Sequence, residues 1–286
     1  MTVFSAIKIN LRMSVMERDQ KPVKIEYDAN IAIITFNRPK VLNAFNNQLM
    51  ETTLTEVIKL NENKSIRAII VRGEGRAFSP GFDLKAAGER EMRDVRHWET
   101  QMQLQFDFIM QFWNSPKPTI AAVHGYCLAG AFELALACDI TVAADNAKFG
   151  EPEVKFGTGI VAMLLPWITG PKQAKEILLT GEDQLSAHEA LRMGIINKVV
   201  PEEEVYKKAL AMAKNISRAG ERAVYYTKRA INSSYEAMGM TQALKSGLDQ
   251  DILLNIASDP IKQRFGEIRK NKGLKAAIEW RDKRFS

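Results

Sequence analysis

The sequence predicts an α/β protein with an α-helical C-terminal region, and three observations support this fold class. From Val23 to about Val200, short runs rich in β-branched residues alternate with amphipathic segments, which is the pattern of strands and helices packed in layers. From Glu202 to Arg284, helical patterns continue almost throughout, with no convincing strand. The chain has 286 residues, of which 46% are hydrophobic, enough to bury a large core.

The chain divides into three predicted parts. Residues 1–22 lack the continuous apolar run and the cleavage site of a secretory signal, so we expect an untargeted, partly disordered extension. Residues 23–201 form the predicted α/β core domain, and residues 202–286 form a helical domain. The helical segments of this last part break at four places, near Gly220, Gly239, Asp259-Pro260 and Gly273.

Apolar runs of strand length mark the predicted strands of the core domain. They are Ile31 to Phe36, Arg67 to Arg72, Thr119 to Val123, Asp139 to Ala143 and Ile195 to Val200. A helix is predicted from Asn47 to Asn61. A shorter one is predicted from Ser186 to Met193, because Ser186 and Glu189 have the spacing of a capping box and Gly194 follows the last turn.

Two sets of apolar residues with helical spacing need a packing partner. Between Ala86 and Pro118, after the charged stretch from Glu89 to Asp94, one helix face either packs on the core or lines a substrate pocket as a lid. Its members are Met102, Phe106, Ile109 and Trp113. In the C-terminal part, either the chain's own core or another subunit must cover a similar set. Its members are Leu248, Ile252, Leu253 and Ile256.

Composition narrows the classes of partner and compartment. The net charge of +6 is compatible with a polyanionic partner, but the basic residues are scattered, so we expect no nucleic-acid partner. Cys127 and Cys138 lack metal-ligand spacing, which indicates reduced thiols and a cytoplasmic protein. Glu133 interrupts the apolar stretch from Thr119 to Cys138, so we expect no membrane span. The histidines show no ligand spacing, and we expect neither a metal nor a redox cofactor.

Two glycine-containing segments carry backbone groups suited to catalysis. The loop from Gly73 to Lys85 follows a predicted strand, and its glycines let the backbone approach a ligand closely. In the segment from Ala121 to Asp139, a helix begins near Gly130, so its free N–H groups can face a developing oxyanion. Glu133 falls in the first turn of that helix, where a carboxylate also complements the helix dipole.

A third segment, Ala147 to Glu153, holds two acids, Glu151 and Glu153, which point to the same side if the segment is extended. Together the three segments resemble the crotonase, or enoyl-CoA hydratase/isomerase, superfamily, and the resemblance extends from about Val23 to Phe285. Further matching stretches are Phe36 to Ala44, Leu179 to Gly181, Ser186 to Gly194, Val199 to Pro201 and Glu279 to Phe285.

The resemblance implies a fold and residue roles. The family's fold is a right-handed spiral of β-β-α turns with an α-helical C-terminal region that forms trimers, often paired into hexamers, so residues 202–286 are expected to be an oligomerisation domain. The family's oxyanion hole uses two backbone N–H groups, which match Phe82 and Gly130, and its two catalytic glutamates match Glu133 and Glu153. The family's CoA contacts match Lys40, Val41, Leu42, Phe82, Asp83, Leu84 and Lys85.

The implied activity is that of an enoyl-CoA hydratase, which adds water in syn fashion across the 2,3 double bond of a 2-enoyl-CoA thioester. One carboxylate activates water and one carboxylic acid protonates the α-carbon, while the oxyanion hole stabilises charge on the thioester oxygen. Coenzyme A is part of the substrate, and no separate cofactor is expected. The alternatives are a 3,2-enoyl-CoA isomerase, another CoA-thioester lyase or hydrolase, and an RNA-binding member. Lys59 is the single basic residue between Asn47 and Asn61, which disfavours RNA binding.

Two departures from the family pattern concern the acyl group. The glycine-rich run before the first glutamate is Ala129-Gly130-Ala131, and the segment after Glu153 is the bulky stretch from Gly159 to Pro166. A short crotonyl group is therefore not assumed, and a branched, aromatic or cyclic acyl group stays open.

Overall fold

The computed structural model describes residues 21–89, 94–257 and 259–286. The predicted N-terminal extension lies outside the described residues except for Lys21 and Pro22, and so does most of the charged stretch from Glu89 to Asp94. Cys127 and Cys138 are both buried free thiols. Within the described ranges, no helix is long and apolar enough to cross a membrane.

Strands of the described chain form two sheets. Their bounds are β1 (Val23–Asp28), β2 (Ile31–Phe36), β3 (Ala68–Gly73), β4 (Thr119–Val123), β5 (Tyr126–Leu128), β6 (Ile140–Ala144), β7 (Lys148–Gly150), β8 (Leu185–Ser186) and β9 (Lys198–Val200). The larger sheet has the order β1-β2-β3-β4-β6-β9, in which β1 and β2 are antiparallel and all other neighbours are parallel. The smaller sheet has the order β5-β7-β8.

The α-helices of the described ranges surround these sheets. Their bounds are α1 (Asn47–Glu62), α2 (Leu84–Glu89), α3 (Val95–Asn114), α4 (Gly130–Ala137), α5 (Leu165–Ile168), α6 (Pro171–Thr180), α7 (Ala187–Arg192), α8 (Val205–Arg218), α9 (Glu221–Ala237), α10 (Met240–Ile256) and α11 (Pro260–Asp282). All four predicted C-terminal breaks are confirmed: Gly220 and Gly239 precede α9 and α10, Asp259 caps α11, and Gly273 interrupts α11 with a φ of +86°.

The five predicted strands are present, two of them with the predicted bounds. Strand β9 is shorter than predicted, because Ile195 and Ile196 pack into the core before the strand begins. The Asn197 N–H then donates to Thr141 O over 3.0 Å, and the Asn197 side chain accepts from the Thr141 N–H over 2.8 Å. Residues 195–197 therefore form a connection into the sheet.

One hydrophobic core runs from the sheet into the C-terminal helices. Strands β2 and β4 are buried along their whole length, which explains their uninterrupted apolar sequences. Ala209 and Ala213 of α8 are buried in this core, as are Met240, Leu244 and Leu248 of α10. The last helix, α11, adds a small second cluster around Phe265.

The two apolar helix faces differ in how far their side chains are buried. Met102, Phe106, Ile109 and Trp113 of α3 are all buried, and Met102 also lines the cavity described below. This helix face therefore packs on the core, and Met102 alone of the four residues also lines the cavity. In α10, Leu248 is buried, whereas Leu253 is 66% exposed and Ile256 is 42% exposed.

Candidate active site

The loop after β3 lies directly against the turn between β5 and α4. The Ser79 N–H donates to Tyr126 O over 2.9 Å, and the Leu128 N–H donates to Ser79 O over 3.2 Å. Gly81 has a φ of +91°, and a Cβ at this position would lie 2.6 Å from the Cβ of Ala129. Glycine is therefore required here, and the close approach brings Phe82 and Gly130 together.

The N–H groups of Phe82 and Gly130 occupy positions suited to an oxyanion hole. The Phe45 N–H donates to Gly81 O over 2.8 Å, and the Asp83 N–H donates to Phe45 O over 3.0 Å. Because backbone groups alternate along an extended segment, the N–H of Phe82 points away from Phe45. Gly130 begins α4, and the first N–H groups of a helix have no intrahelical acceptor. Both groups can serve a bound oxygen.

This turn also carries backbone strain. Ala129 has a φ of +57°, a value that residues with a Cβ seldom adopt and that clusters at functional sites. The next residue, Gly130, packs under the ring of Phe82, where an added Cβ would lie 2.4 Å from Cε2. The Phe82 ring therefore restricts the residue at position 130 to glycine.

Glu133 lies in the first turn of α4, as predicted, and is 1% exposed. Its Oε1 accepts a hydrogen bond from the Val161 N–H over 3.0 Å, while its Oε2 is buried without a partner among the described residues. Burial, together with repulsion from Glu153, raises the pKa of Glu133 well above its ordinary value. The side chain is thus fixed at one oxygen, and the other oxygen can bind water.

Glu151 and Glu153 follow β7 and are both buried. Burial raises the pKa of Glu153 to about 7, although a hydrogen bond with the Glu151 side chain acts in the opposite direction. Burial and the charges of Glu153 and Glu133 raise the pKa of Glu151 well above its ordinary value. Three buried carboxyl groups cannot all be ionised at neutral pH, so the cluster holds at least one proton and shares it among coupled sites.

A fourth buried acid, Asp251, reaches the cluster from α10. Its Oδ1 accepts from the Gly159 N–H over 3.1 Å and from the Asn255 side-chain amide over 2.7 Å. Burial raises the pKa of Asp251 to about 6, and its charge raises the pKa values of Glu133 and Glu153. Sequence reasoning missed this acid, because nothing in a helical pattern places residue 251 beside residue 159.

A cavity of about 760 Å³ opens in front of this cluster. Glu153 and Phe82 line it, together with Leu42 and Leu84 from the predicted CoA-binding set. Other members of that set are placed differently. Lys40, Val41 and Lys85 are exposed outside the cavity lining, and Asp83 pairs with Arg38 over 2.9 Å and accepts from the first N–H groups of α2.

The C-terminal helices complete the wall of the cavity. Asp251 and Asn255 come from α10, and Phe265 and Arg269 come from α11. The Arg269 side chain donates to Leu84 O over 2.9 Å, which joins α11 to the predicted CoA-binding stretch. None of these residues was a sequence candidate, since their role depends on how the last helices fold back over the core.

Known proteins share this architecture and much of this sequence. The family model described as enoyl-CoA hydratase/isomerase matches residues 26–285. A crystal structure of an enoyl-CoA hydratase/isomerase from Xanthobacter autotrophicus Py2 is 47% identical, with a TM-score of 0.91 over 93% of this chain and 98% of that one. A probable enoyl-CoA hydratase of Mycobacterium tuberculosis is 34% identical over 92% of this chain and 97% of its own length. A crotonyl-CoA hydratase of Syntrophomonas wolfei is 32% identical over 91% of this chain and 96% of its own.

The match covers the residues that build the site as well as the fold. The matched range begins within β1, runs through Phe82, Gly130, Glu133 and Glu153, and ends near the end of the chain. The expected crotonase fold and the expected enzyme class are both confirmed. The chain belongs to the enoyl-CoA hydratase/isomerase family.

Proposed function

We propose that this protein hydrates a 2-enoyl-CoA thioester. The observation that carries the proposal is the burial of Glu133 and Glu153 together, beside the turn that presents the N–H groups of Phe82 and Gly130. In this arrangement the thioester oxygen binds between the two N–H groups, which stabilise the charge that develops on it. The double bond then lies between the two glutamates.

In the proposed reaction, the carboxyl cluster handles one water molecule. A glutamate in its carboxylate form removes a proton from water as the oxygen bonds to the β-carbon, and a glutamate in its acid form delivers a proton to the α-carbon. The raised pKa values of Glu133 and Glu153 allow a mixed protonation state at neutral pH. The carboxylate gains the proton of water and the acid loses its own, and transfer of one proton between the coupled glutamates restores both, so the net reaction adds one water without a separate cofactor.

The acyl-CoA substrate would enter through the cavity, with the acyl group beside Glu153 and the coenzyme towards Leu42 and Leu84. We also propose that the protein assembles as a homotrimer or hexamer, as the family resemblance implies. A nucleic-acid partner is disfavoured, because Lys59 is the single basic residue of α1.

A panel of 2-enoyl-CoA and 3-enoyl-CoA thioesters tests the activity. We expect loss of the conjugated enoyl absorbance from 2-enoyl substrates, with a 3-hydroxyacyl-CoA product. Glu133→Gln should lower kcat by about 10²- to 10⁴-fold, the usual contribution of an acid–base group. The matched control is Glu203→Gln, which changes an exposed acid in the same way. Migration of the double bond without water uptake would instead indicate the isomerase alternative, which needs only the glutamate at position 153.

A further inference from the structure

The proposed reaction leaves two buried acids of the site without a task. Glu133, Glu151, Glu153 and Asp251 each have one carboxyl oxygen that is buried without a hydrogen-bond partner among the described residues. Two of these acids handle water and proton in the proposed reaction, which leaves Glu151 and Asp251. Asp251 lines the cavity and Glu151 does not, and no step of hydration requires the Oδ2 atom of Asp251.

The orientation of Asp251 is fixed from several directions. Its Oδ1 accepts two hydrogen bonds, from Gly159 and Asn255, and a Cβ at Gly159 would lie 2.6 Å from that oxygen. Asn255 is held in turn by Lys262, whose Nζ donates to its Oδ1 over 2.8 Å and to its O over 2.9 Å. A carboxylate locked at one oxygen presents the other oxygen in a constant position, as a binding site requires.

The surroundings define what Asp251 can bind. Asp251, Asn255 and Lys262 all line the cavity that also contains Glu153, and the Oδ2 atom of Asp251 is buried without a partner among the described residues. An ionised carboxylate only accepts hydrogen bonds, and its partner must therefore be a donor. The Lys262 ammonium lies 4.4 Å from the centre of the Trp98 ring, and its positive charge offsets the negative charge of Asp251. Because Asp251 already has this cation nearby, a neutral hydrogen-bond donor is a better partner for it than a second cation.

We infer that Asp251 accepts a hydrogen bond from a hydroxyl group on the substrate's acyl chain, so that the preferred substrates are hydroxylated 2-enoyl-CoA thioesters. This inference rests on the proposed hydratase function and narrows its substrate class. A wholly apolar acyl chain would displace solvent from the pocket and leave Oδ2 buried without a donor. Sites that hydrogen-bond a substrate hydroxyl discriminate strongly against analogues that lack it, for this reason.

Matched substrate pairs test the inference. Each pair consists of two 2-enoyl-CoA thioesters that differ in a hydroxyl or a methyl group at the same carbon, and successive pairs move this group along the chain beyond the double bond. For at least one position we expect kcat/KM to favour the hydroxyl compound by about 10- to 100-fold. Hydroxyl and methyl groups have similar size, so the ratio reports the hydrogen bond and not the fit.

Asp251→Asn then assigns the preference to this residue. The amide keeps an oxygen for the Gly159 N–H but replaces Oδ2 with a donor, so the hydroxyl-to-methyl ratio should fall about 10-fold or more while the variant stays folded by circular dichroism. Asp249→Asn makes the same change at an exposed position of the same helix and should keep the wild-type ratio.

The outcomes separate this inference from the proposed function. Hydration of both members of every pair at equal rates would overturn the inference, with water as the partner of Oδ2, and would leave the hydratase proposal intact. An unchanged ratio in Asp251→Asn would also overturn it, because the preference would then arise elsewhere in the pocket. Absence of hydration with every thioester would instead contradict the proposed function itself.

Discussion

Gly130 serves two requirements at once, since its N–H matches an oxyanion donor and its Cα packs under the ring of Phe82. Gly130→Ala would place a Cβ 2.4 Å from the ring and displace the donor or the ring. We expect kcat to fall by about 10²- to 10³-fold, the effect of losing an oxyanion donor. Steady-state kinetics with the best 2-enoyl-CoA substrate measures the change.

A second substitution separates crowding from any other effect of the alanine. In the proposed oxyanion hole Phe82 contributes its N–H and not its ring, so Phe82→Ala combined with Gly130→Ala should restore much of the lost activity. Gly220→Ala is the control, because its nearest neighbour would be the Cβ of Ala223 at 3.8 Å. Full activity of the single Gly130→Ala variant would refute this role of the turn.

The carboxyl cluster should make the protein less stable as pH rises. An acid whose pKa is higher in the folded chain than in the unfolded one binds more protons when folded, so the free energy of unfolding falls as pH rises between the two values. The pKa of Glu151 is raised well above 4.5, and that of Glu153 is raised to about 7. The window therefore begins near pH 4.5 and extends to about pH 7 or above.

Glu151→Gln removes one titrating group from this window while keeping a donor for Glu153. We expect the variant to be more stable than the wild type at pH 7, because the buried Glu151 carboxyl, whose pKa is raised well above its ordinary value, must bind a proton or stay ionised at that pH. The difference should disappear near pH 4.5. Urea unfolding at a series of pH values measures it, and parallel pH profiles for the two proteins would contradict the argument.

At the scale of the elements, periodicity predicted the buried strands and failed for the short ones. Strands β2 and β4 are buried on both faces, so their apolar runs stand out in the sequence. Strands β5, β7 and β8 have two or three residues each, too few for any alternation to be recognised. These short strands are fixed by tertiary contacts, such as the hydrogen bond from the Lys148 N–H to Gly125 O over 2.9 Å.

Some residues of the candidate site could be predicted from local sequence, whereas others depend on contacts between distant parts of the chain. Glu133 and Gly130 were predictable, because both belong to one turn and the first residues of one helix. The family resemblance supplied the partners at Phe82 and Glu153, which no local pattern singles out. Asp251 lies 92 residues from Gly159, whose N–H it binds, and such a contact depends on the packing of whole helices.

Helix α11 should depend on one aromatic contact for its position over the cavity. Phe265 is 5% exposed and packs edge-on against Phe156, with ring centroids 5.0 Å apart. Its cluster is small and separate from the main core, so Phe265→Ala should release α11 without unfolding the sheet. We expect faster proteolytic cleavage within residues 259–286 and a raised KM. Phe285→Ala is the control, since Phe285 is 51% exposed.

At the scale of the whole molecule, the C-terminal helices bury one face and leave another exposed. Leu253 and Ile256 lie three residues apart on α10 and are 66% and 42% exposed, and Ile231 of α9 is 54% exposed. Apolar side chains that cluster on exposed helices mark interaction surfaces. Because α10 also supplies Asp251 to the site, contacts between subunits on its outer face would stabilise the acyl pocket on its inner face.

This arrangement predicts that assembly and activity are lost together. We expect light scattering with size-exclusion chromatography to give three or six times the chain mass of 32.2 kDa. Leu253→Lys combined with Ile256→Lys places two charges on the exposed face of α10 and should lower both the mass and kcat/KM. Leu179→Lys is the control, because Leu179 is 73% exposed on α6. A wild-type protein that stays at 32.2 kDa and is fully active would show that the helices of one chain hold the site without a partner.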